Sequence, residues 1–496
     1  MSIVKKQAFG NSVVQYAGYI IGLINVTFLF PNIFTSDQFG LTRILIAVAS
    51  VYAQFAALGT NRVMMRFMPL FRTEDNKNNG LLLIGAIMPF FGFILFTLIY
   101  YFFKDNIIGL YNERSSLFID SYFYVVPLAF LMLYTSIMES YLMGMLRTVF
   151  SNFLRHVLIR LLWTVDILLF YFGIVNWEEF LYVIIFFYSL NLLILAIYLI
   201  ARGGFSFKLT ERFKRRSLYK AIGNYGFFSM FSGVSNFLVN RIDIIMIGFI
   251  SVSGLNDAAV YSIAVYIASV IFVPAQAIGR ISFPLIAEFW RKKDLLKIND
   301  LYRASANNQL VIGGAIFVLI WANVHNIFAI LPPEYAYGKW ALFFLGLAKL
   351  FDMATGVNGA IINATRFYRF DLYSSIFLLV VAVSSNIVLI TKYGLVGAAI
   401  ATALSVLLYN LLRCIYLIRK LKIHPFGVKS LYTVLLLVVV LFLQSLLPTV
   451  GKHMIVDLIV RSVLVLALLS SSIYYLKLSE EINESVRKLA IRVRGK

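Results

Sequence analysis

Long apolar runs alternate with short polar connectors along the whole chain. About 14 of these runs are roughly 18 to 28 residues long, which is the length that an α-helix needs to cross the hydrocarbon core of a bilayer. The pattern therefore predicts an all-α polytopic membrane protein with about 14 transmembrane helices. The predicted helices begin near Ala8, Leu41, Leu81, Ser121, Phe153, Phe180, Ala221, Ala258, Ala304, Ala341, Leu372, Leu395, Leu431 and Met454.

One predicted helix carries a polar stripe. Its polar residues recur every three or four positions, so on a helix they lie on one face. Lipid cannot satisfy such a face, and we expect it to line a cavity or to contact a neighbouring helix. The stripe consists of Ser229, Ser232, Asn236, Asn240 and Asp243.

Composition agrees with a membrane protein and excludes several other classes. Of the 496 residues, 61% are hydrophobic, whereas a soluble domain is only about 45 to 50% apolar. Cys414 is the only cysteine, which excludes an intramolecular disulfide and a thiolate metal cluster. The four histidines show no ligand spacing. We therefore expect no metal site and no cofactor.

Charge alternates between successive connectors. Every second connector is rich in Lys and Arg, including Lys5 and Lys6, the stretch after Gly204 and the tail from Arg487. Positive connectors remain on the cytoplasmic side, so both termini are predicted to be cytoplasmic in a multi-pass protein of the cell inner membrane. The net charge of +21 then reflects this topology and contact with anionic lipids. It is not concentrated in one patch, as nucleic-acid binding would require.

The second half of the chain repeats features of the first. The matched features are Phe9-Gly10-Asn11 with Ile222-Gly223-Asn224, Arg62 and Pro69 with Arg280 and Pro284, and Phe172-Gly173 with Tyr393-Gly394. Both halves begin in the cytoplasm, so they are predicted to form two parallel, pseudo-symmetric six-helix lobes. The predicted organisation is an N-lobe at 1–202, a basic cytoplasmic linker at 203–220, a C-lobe at 221–420, and helices 13 and 14 with a basic cytoplasmic tail at 421–496.

The connectors are too short to hold a soluble catalytic domain. None exceeds about 20 residues, far below the size of an independent domain. The sequence contains no Gly-x4-Gly-Lys-Ser/Thr loop for nucleotide phosphates. A polymerase or glycosyltransferase would need a large loop with paired carboxylates. We therefore expect a protein that is not an enzyme.

Several motifs, taken in order, resemble one family. They are FGNSVVQYAG near the start, DQFG at Asp37, RIDIIMIG at Arg241, LNDAAVYSIA at Leu255 and YGLVGAAIATALS at Tyr393. With the 14-helix layout, these motifs resemble the polysaccharide or oligosaccharide flippases of the multidrug/oligosaccharidyl-lipid/polysaccharide (MOP) exporter superfamily. The resemblance covers nearly the whole chain.

The resemblance implies an alternating-access flippase driven by an ion gradient. Its substrate would be an undecaprenyl-diphosphate-linked oligosaccharide, moved from the cytoplasmic to the periplasmic leaflet, and its coupling ion would be Na⁺ or H⁺. It also implies a cationic cavity between two lobes and a lipid-tail groove at helices 13 and 14. Membrane lipids and other polysaccharide biosynthesis membrane proteins would be its partners. Two alternatives in the same superfamily remain, a lipid II flippase and a cation-coupled multidrug exporter, although the exporters usually have 12 spans.

A diphosphate in a low-dielectric cavity requires inward-facing cations. Arg62 and Arg280 occupy repeat-related positions near the cytoplasmic ends of helices 2 and 8, and their planar donors suit bidentate phosphate contact. The alternative is that each side chain reaches to the head groups. Arg241 is a further candidate cation for the substrate.

Further candidates lie deep in the predicted helices. Lys349 and Asp352 share a face of helix 10, either as a neutralised pair or with Lys349 on substrate and Asp352 on a coupling ion. Asn236 and Asn240 could bond sugar hydroxyls, and Asp243 could bind a cation, whereas small polar residues also serve as helix packing contacts. Glu139 and Asp166 are candidates for pairing with Arg160 or with cavity arginines.

Overall fold

The computed structural model describes residues 3–71, 80–111, 115–145, 147–201, 216–446, 454–480 and 483–484. Within these ranges the chain is helical and contains no strand, which confirms the predicted all-α class. Most of the predicted linker at 203–220 and of the basic tail lies outside the described residues. The chain packs as two compact units, Met1–Ser262 and Ile263–Lys496. The predicted lobe limits at 202 and 221 stay a prediction.

The first unit is built from short and long helices. They are α1 (Ile3–Ile24), α2 (Phe30–Ile33), α3 (Ser36–Ala56), α4 (Thr60–Phe71), α5 (Leu81–Phe102), α6 (Lys104–Tyr111), α7 (Ser116–Asp120), α8 (Val125–Gly144), α9 (Val149–Phe153), α10 (Ile159–Tyr171), α11 (Trp177–Ala201), α12 (Arg216–Val239) and α13 (Ile242–Ile250). Two π-helical turns, Asn25–Leu29 and Leu154–Leu158, join α1 to α2 and α9 to α10. Each π-helical turn continues the helical path without interruption. It also changes the side of the helix on which the following side chains lie.

The second unit contains longer helices. Helix α14 (Gly254–Arg291) begins in the first unit and ends in the second. It is followed by α15 (Leu295–Ala322), α16 (Val324–Ala329), α17 (Lys339–Ala354), α18 (Asn358–Ala364), α19 (Arg369–Leu421), α20 (Val428–Ser445) and α21 (Met454–Tyr475). Short 3₁₀ turns, Tyr122–Tyr124 and Pro333–Gly338, precede α8 and α17.

The described helices account for 10 to 12 membrane spans by length and apolarity alone. Ten segments pass this test directly. Two more spans are bent pairs: Ile222–Val239 with Ile242–Ile250 at 57°, and Pro333–Ala354 with Asn358–Ala364 at 48°. The segment from α9 to α10 is a continuous helical path that carries Arg155, Arg160 and Asp166, so its polarity rather than its length sets it apart.

Helix α19 is a hairpin of two antiparallel arms. Its 53 residues are interrupted at Gly394, which has φ 56° and ψ −136°, a conformation that glycine adopts readily. The backbone at Gly397 packs directly against Leu389. The hydroxyls of Ser385 and Ser405 are 3.4 Å apart, whereas 20 residues of straight helix would separate them by about 30 Å. Each arm is therefore one span, and with the α9–α10 segment the predicted total of about 14 is reached.

The quoted motifs hold the first unit together. In α1, Asn11 donates to the Thr148 hydroxyl at 2.7 Å, and Gly18 lets the backbone approach His156. Gly40 of DQFG packs against the backbone of Leu255 in LNDAAVYSIA. The close helix contacts that define this unit therefore depend on residues without a Cβ atom.

Candidate functional site

Arg62 lies on a separate short helix rather than at the end of helix 2. Helix α3 ends at Ala56, and Leu58 and Gly59 take left-handed conformations with φ of 47° and 75°. The chain then restarts as α4. The buried side of α4 is apolar, with Val63, Met64, Phe67, Met68 and Phe71 in the core. Its other side carries the polar residues, so the break turns Arg62 away from the packed interior.

Helix α12 covers this polar side of α4. The Arg62 Nε lies 3.7 Å from the point where a Cβ on Gly233 would stand, and the Gln54 amide nitrogen lies 3.0 Å from the same point. One turn after Arg62, the Arg66 guanidinium stacks over the Tyr225 ring at 4.2 Å. Sequence reasoning missed Arg66, although its spacing of four residues from Arg62 placed both cations on one helix face.

A second group of cations surrounds Tyr188 of α11. Arg43, Arg155 and Arg241 all lie within electrostatic range of its hydroxyl. Arg155 also pairs with Glu139 at 3.1 Å, a partner that the sequence analysis did not name. Arg241 stands at the 57° bend between α12 and α13. These side chains come from α3, α11, the π-helical turn before α10 and the α12–α13 bend, which no local spacing in the sequence could reveal.

The predicted pairing of Asp166 with Arg160 is wrong. Arg160 donates to the backbone carbonyl of Gly18 and lies 5.6 Å from the centre of the Tyr19 ring. Asp166 is fully buried, and neither carboxylate oxygen has a hydrogen-bond partner in the described part of the chain. The two residues are six positions apart on the helix, which points them to different sides.

The polar stripe of α12 and α13 divides into packing and exposed positions. The Ser229 hydroxyl donates to the Gly226 carbonyl at 3.0 Å, which is a packing contact. The side chains of Ser232 and Asn236 lie outside the described part of the chain. Asn240 is exposed at the bend. Asp243 is buried in the first turn of α13 and accepts a hydrogen bond from the Tyr261 hydroxyl at 2.9 Å.

In the second unit, Lys349 and Asp352 do not form an ion pair with each other. The Lys349 ammonium lies 5.6 Å from the centre of the Phe272 ring. The Asp352 Oδ1 accepts a hydrogen bond from the Asn410 Nδ2 at 3.1 Å. Both side chains remain partly exposed. The neutralised-pair alternative is therefore not the arrangement seen. Arg280 lies on α14, and its side chain is outside the described part of the chain.

Asp352 belongs to a polar network at the break between α17 and α18. The Asn410 Oδ1 accepts hydrogen bonds from the Thr355 hydroxyl at 2.9 Å and from the Asn358 Nδ2 at 2.8 Å. One turn further along α19, the Arg413 Nε donates to the Ser374 hydroxyl at 3.2 Å, and its guanidinium pairs with Asp371. The polar spacing of Asp352, Thr355 and Asn358 hinted at this face, but the partner Asn410 is 58 residues away from Asp352.

The described residues contain no group of three His, Cys, Asp or Glu side chains that could hold a metal ion. What they provide is a set of membrane-embedded cations in the first unit and a carboxylate in a polar network in the second. Cations held by packed helices in low dielectric bind anionic groups such as phosphate. A lone membrane carboxylate can carry a proton or a small cation.

These features define a polytopic helical membrane protein with charged sites inside its helix bundle, a construction typical of transporters. A family model described as "Polysaccharide biosynthesis protein" matches residues 4–290. Since this is more than half of the 496 residues, the chain belongs to the polysaccharide biosynthesis protein family.

The chain is also similar to individual known proteins, in sequence and in fold. The chain is 22% identical over 213 residues to a probable low-salt glycan biosynthesis flippase, Agl15, of Haloferax volcanii, covering 42% of this chain and 45% of that protein. Its fold is similar to that of the lipid II flippase MurJ in an inward closed conformation, with TM-score 0.69, 15% identity, and coverage of 94% of this chain and 99% of that chain. An inward-facing multidrug resistance MATE transporter of the MOP superfamily shares 16% identity with TM-score 0.59, covering 84% and 94%. The fold is therefore similar to that of a MOP-superfamily transporter, and the predicted membership of a polysaccharide biosynthesis family is confirmed.

Proposed function

We propose that this protein is a flippase for a lipid-linked oligosaccharide. The observation that carries the proposal is the pair of arginines, Arg62 and Arg66, on the polar side of a broken helix inside a membrane unit of a polysaccharide biosynthesis protein. Ionisable side chains within a membrane-spanning unit are rare and by default indicate a functional site. In a polysaccharide biosynthesis family, the anion that we expect is a diphosphate that links a polyprenyl tail to a glycan.

The proposed substrate is an undecaprenyl-diphosphate-linked oligosaccharide, taken from the cytoplasmic leaflet and released at the periplasmic side. Arg62 and Arg280 are the proposed contacts of the diphosphate, and Arg241 and Lys349 are further proposed cations for the substrate. Asn236 and Asn240 bond sugar hydroxyls. Two lobes then exchange access by rocking, driven by an ion gradient through Asp243 or Asp352. The likeness of the fold to an inward-facing transporter of the MOP superfamily supports this mechanism.

The proposal also covers location and chemistry. The protein is placed in the inner membrane with both termini cytoplasmic, because the basic connectors fall on one side. It transports without catalysing a covalent reaction, because the apolar runs leave only short connectors between them. Other polysaccharide biosynthesis membrane proteins are its proposed partners.

The test is flipping of a fluorescent undecaprenyl-diphosphate oligosaccharide in proteoliposomes, read by quenching of the outer-leaflet probe. Arg62→Ala and Arg280→Ala are each expected to slow flipping by at least about tenfold, since a charge-assisted phosphate contact contributes about 1.5 to 3 kcal/mol. Arg62→Lys should retain part of the rate. Arg291→Ala, in an exposed connector at the end of α14, is the matched control.

Two results would change the proposal. Wild-type rates in both the Arg62→Ala and Arg280→Ala proteins would contradict the role of these arginines. If the wild-type protein instead binds organic cations and leaves the lipid probe unflipped, the function is multidrug export, with Asp243 and Asp352 as its central residues.

A further inference from the structure

The strongest unassigned feature is the network that joins Asp352 to a helix break. Helix α17 ends at Ala354, the chain turns through Gly356 with φ 59°, and α18 starts at Asn358 after a 48° bend. Thr355 and Asn358 flank this break, and both donate to the Asn410 Oδ1. Asn410 on the second arm of α19 therefore fastens the break and the carboxylate at the same time.

We infer that Asp352 is a proton-binding switch that controls the α17–α18 break through Asn410. The inference rests on the proposed transport function, because it names the ion that drives it. It also assigns Asn410, Thr355 and Asn358 as positioning residues that respond to the protonation state of the carboxyl group.

The orientation of the Asn410 amide is what transmits the signal. Its Nδ2 donates to the Val406 carbonyl at 3.0 Å and to the Asp352 Oδ1 at 3.1 Å. This fixes the Oδ1 toward Thr355 and Asn358. A hydrogen bond to an ionised carboxylate is roughly twice as strong as one to a neutral group. Protonation of Asp352 weakens the bond that orients Asn410, and with it the contacts that fasten the break.

The carboxyl group also stands at an unfavourable end of its helix. Asp352 lies in the last turn of α17, where the negative end of the helix dipole disfavours an ionised carboxylate. Sodium would require several free oxygens, such as unwound carbonyls at a helix end. Here the carbonyl oxygen of Asp352 accepts from the Thr355 amide, and the Asn410 oxygen already accepts from Thr355 and Asn358. The surroundings therefore favour a proton over a sodium ion.

Charged and titratable groups lie near Asp352 on each of the helices around it. Positive charge comes from two sides and stabilises the ionised form of the carboxyl group. Beyond them, on the α15 side, the Tyr302 hydroxyl contacts the Cys414 sulfur at 3.4 Å. The charged and titratable side chains near Asp352 are Lys349 on α17, Tyr409, Arg413 and its partner Asp371 on α19, and Tyr302 on α15.

The single cysteine provides a reporter inside the network. Cys414 is buried, lies one turn after Asn410 on α19, and contacts Tyr302 and Asn358. When the break loosens, Cys414 becomes accessible to N-ethylmaleimide. The measurement is the alkylation rate of the purified full chain in lipid nanodiscs across pH, at constant ionic strength, divided by the rate of the Asp352→Asn protein. This ratio cancels the pH dependence of the thiol itself.

The expected ratio is about one-fifth at high pH, since one oriented hydrogen bond contributes about 1 kcal/mol, and it rises to about one as Asp352 takes up its proton. Replacing potassium by sodium should leave the ratio unchanged. Asn410→Ala removes the link and should alkylate rapidly at every pH, which tests the switch even if Asp352→Asn does not fold. Asp166→Asn, another buried aspartate outside the network, is the matched control and should behave as wild type.

A ratio that does not change with pH would overturn the inference, as would a wild-type alkylation rate that responds to sodium while the Asp352→Asn rate does not. Wild-type behaviour of Asn410→Ala would overturn the role of the amide. The assay contains no lipid-linked substrate, so its outcome is independent of the flipping measurement with Arg62→Ala. Failure of the proposed function and failure of this switch therefore give different results.

Discussion

At the scale of single residues, the absence of a side chain determines several of the close contacts. A Cβ added to Gly18 of α1 would meet the backbone of His156, and one added to Gly40 would meet the backbone of Leu255. Backbone atoms cannot move aside as a flexible side chain can. A Cβ at Gly279 of α14, in contrast, would meet no atom of the described residues within 4 Å. The same substitution should therefore have opposite effects at these positions.

Gly18→Ala is expected to lower the free energy of unfolding by about 1 to 3 kcal/mol, because the added methyl group forces α1 away from the π-helical turn Leu154–Leu158. Gly279→Ala should be neutral or stabilising by up to about 1 kcal/mol, since alanine favours the helix and has open space. Thermal unfolding of the detergent-solubilised proteins measures both. Equal stability of the two variants would contradict the close contact between Gly18 and His156.

At the scale of helices, α21 is attached to the second unit by a buried polar group near its start. The Arg461 Nε donates to both oxygens of Asp457 at 3.0 and 2.8 Å, and the Asn326 Nδ2 donates to the same carboxylate at 2.7 Å. Most other residues of α20 and α21 are exposed to lipid. Asp457 and Arg461 therefore neutralise each other, and the Asn326 contact connects α21 to α16.

Removing one partner of this ion pair should destabilise the protein far more than removing both partners. Arg461→Met leaves the buried Asp457 carboxylate without its guanidinium partner, and a destabilisation of about 3 to 5 kcal/mol is expected. Adding Asp457→Leu removes the uncompensated charge and should recover most of that loss. A double-mutant cycle followed by thermal unfolding gives both values.

The exposed pair of Lys429 and Glu480, 2.6 Å apart, is the control for this cycle. Lys429→Met should change stability by less than about 1 kcal/mol, because an exposed pair is screened by solvent. If the double variant Asp457→Leu/Arg461→Met is no more stable than Arg461→Met alone, the polar group is needed for docking itself and not merely for charge balance.

Helices were predictable from sequence where apolarity alone determines them. The start points at Leu81, Leu431 and Met454 agree with α5, α20 and α21, whose bounds follow the apolar runs. The bends at 239–241 and 355–357 were not predicted, because tertiary contacts and single left-handed residues produce them without a change in mean apolarity. Arg62 was found as a cation, but its separate helix α4 depends on Leu58 and Gly59, which carry no distinctive pattern.

The same limit applies to the candidate site. Asp352 stood out as a charge in an apolar run, whereas its partner Asn410 is a single amide on a distant helix. In the sequence, Arg66 is one more basic residue among many. Its contact with the Tyr225 ring is seen only in the structure. Isolated charges are conspicuous in a membrane sequence, but the partners that give them a function come from the packing of separate helices.

At the scale of the whole molecule, the number of membrane spans depends on whether α19 is one straight helix or a hairpin. As one straight helix its 53 residues would be about 80 Å long, against a hydrocarbon core of about 30 Å. As a hairpin, the turn at Gly394 lies on one side of the membrane and both ends of α19 on the other. With cytoplasmic termini, the turn should face the periplasm and Lys422 the cytoplasm.

Single-cysteine variants in a Cys414→Ser background test this topology. Tyr393→Cys, beside the turn, should react with a membrane-impermeant maleimide added to intact spheroplasts, because its side chain is 59% exposed and it lies outside. Lys422→Cys should react only after permeabilisation, since the positive connector after α19 remains inside. Protection of Tyr393→Cys under both conditions would place the turn within the bilayer and reduce the span count. Labelling of Lys422→Cys from outside would instead invert the orientation, placing Arg366 and Arg419, and every other basic connector, on the wrong side of the membrane.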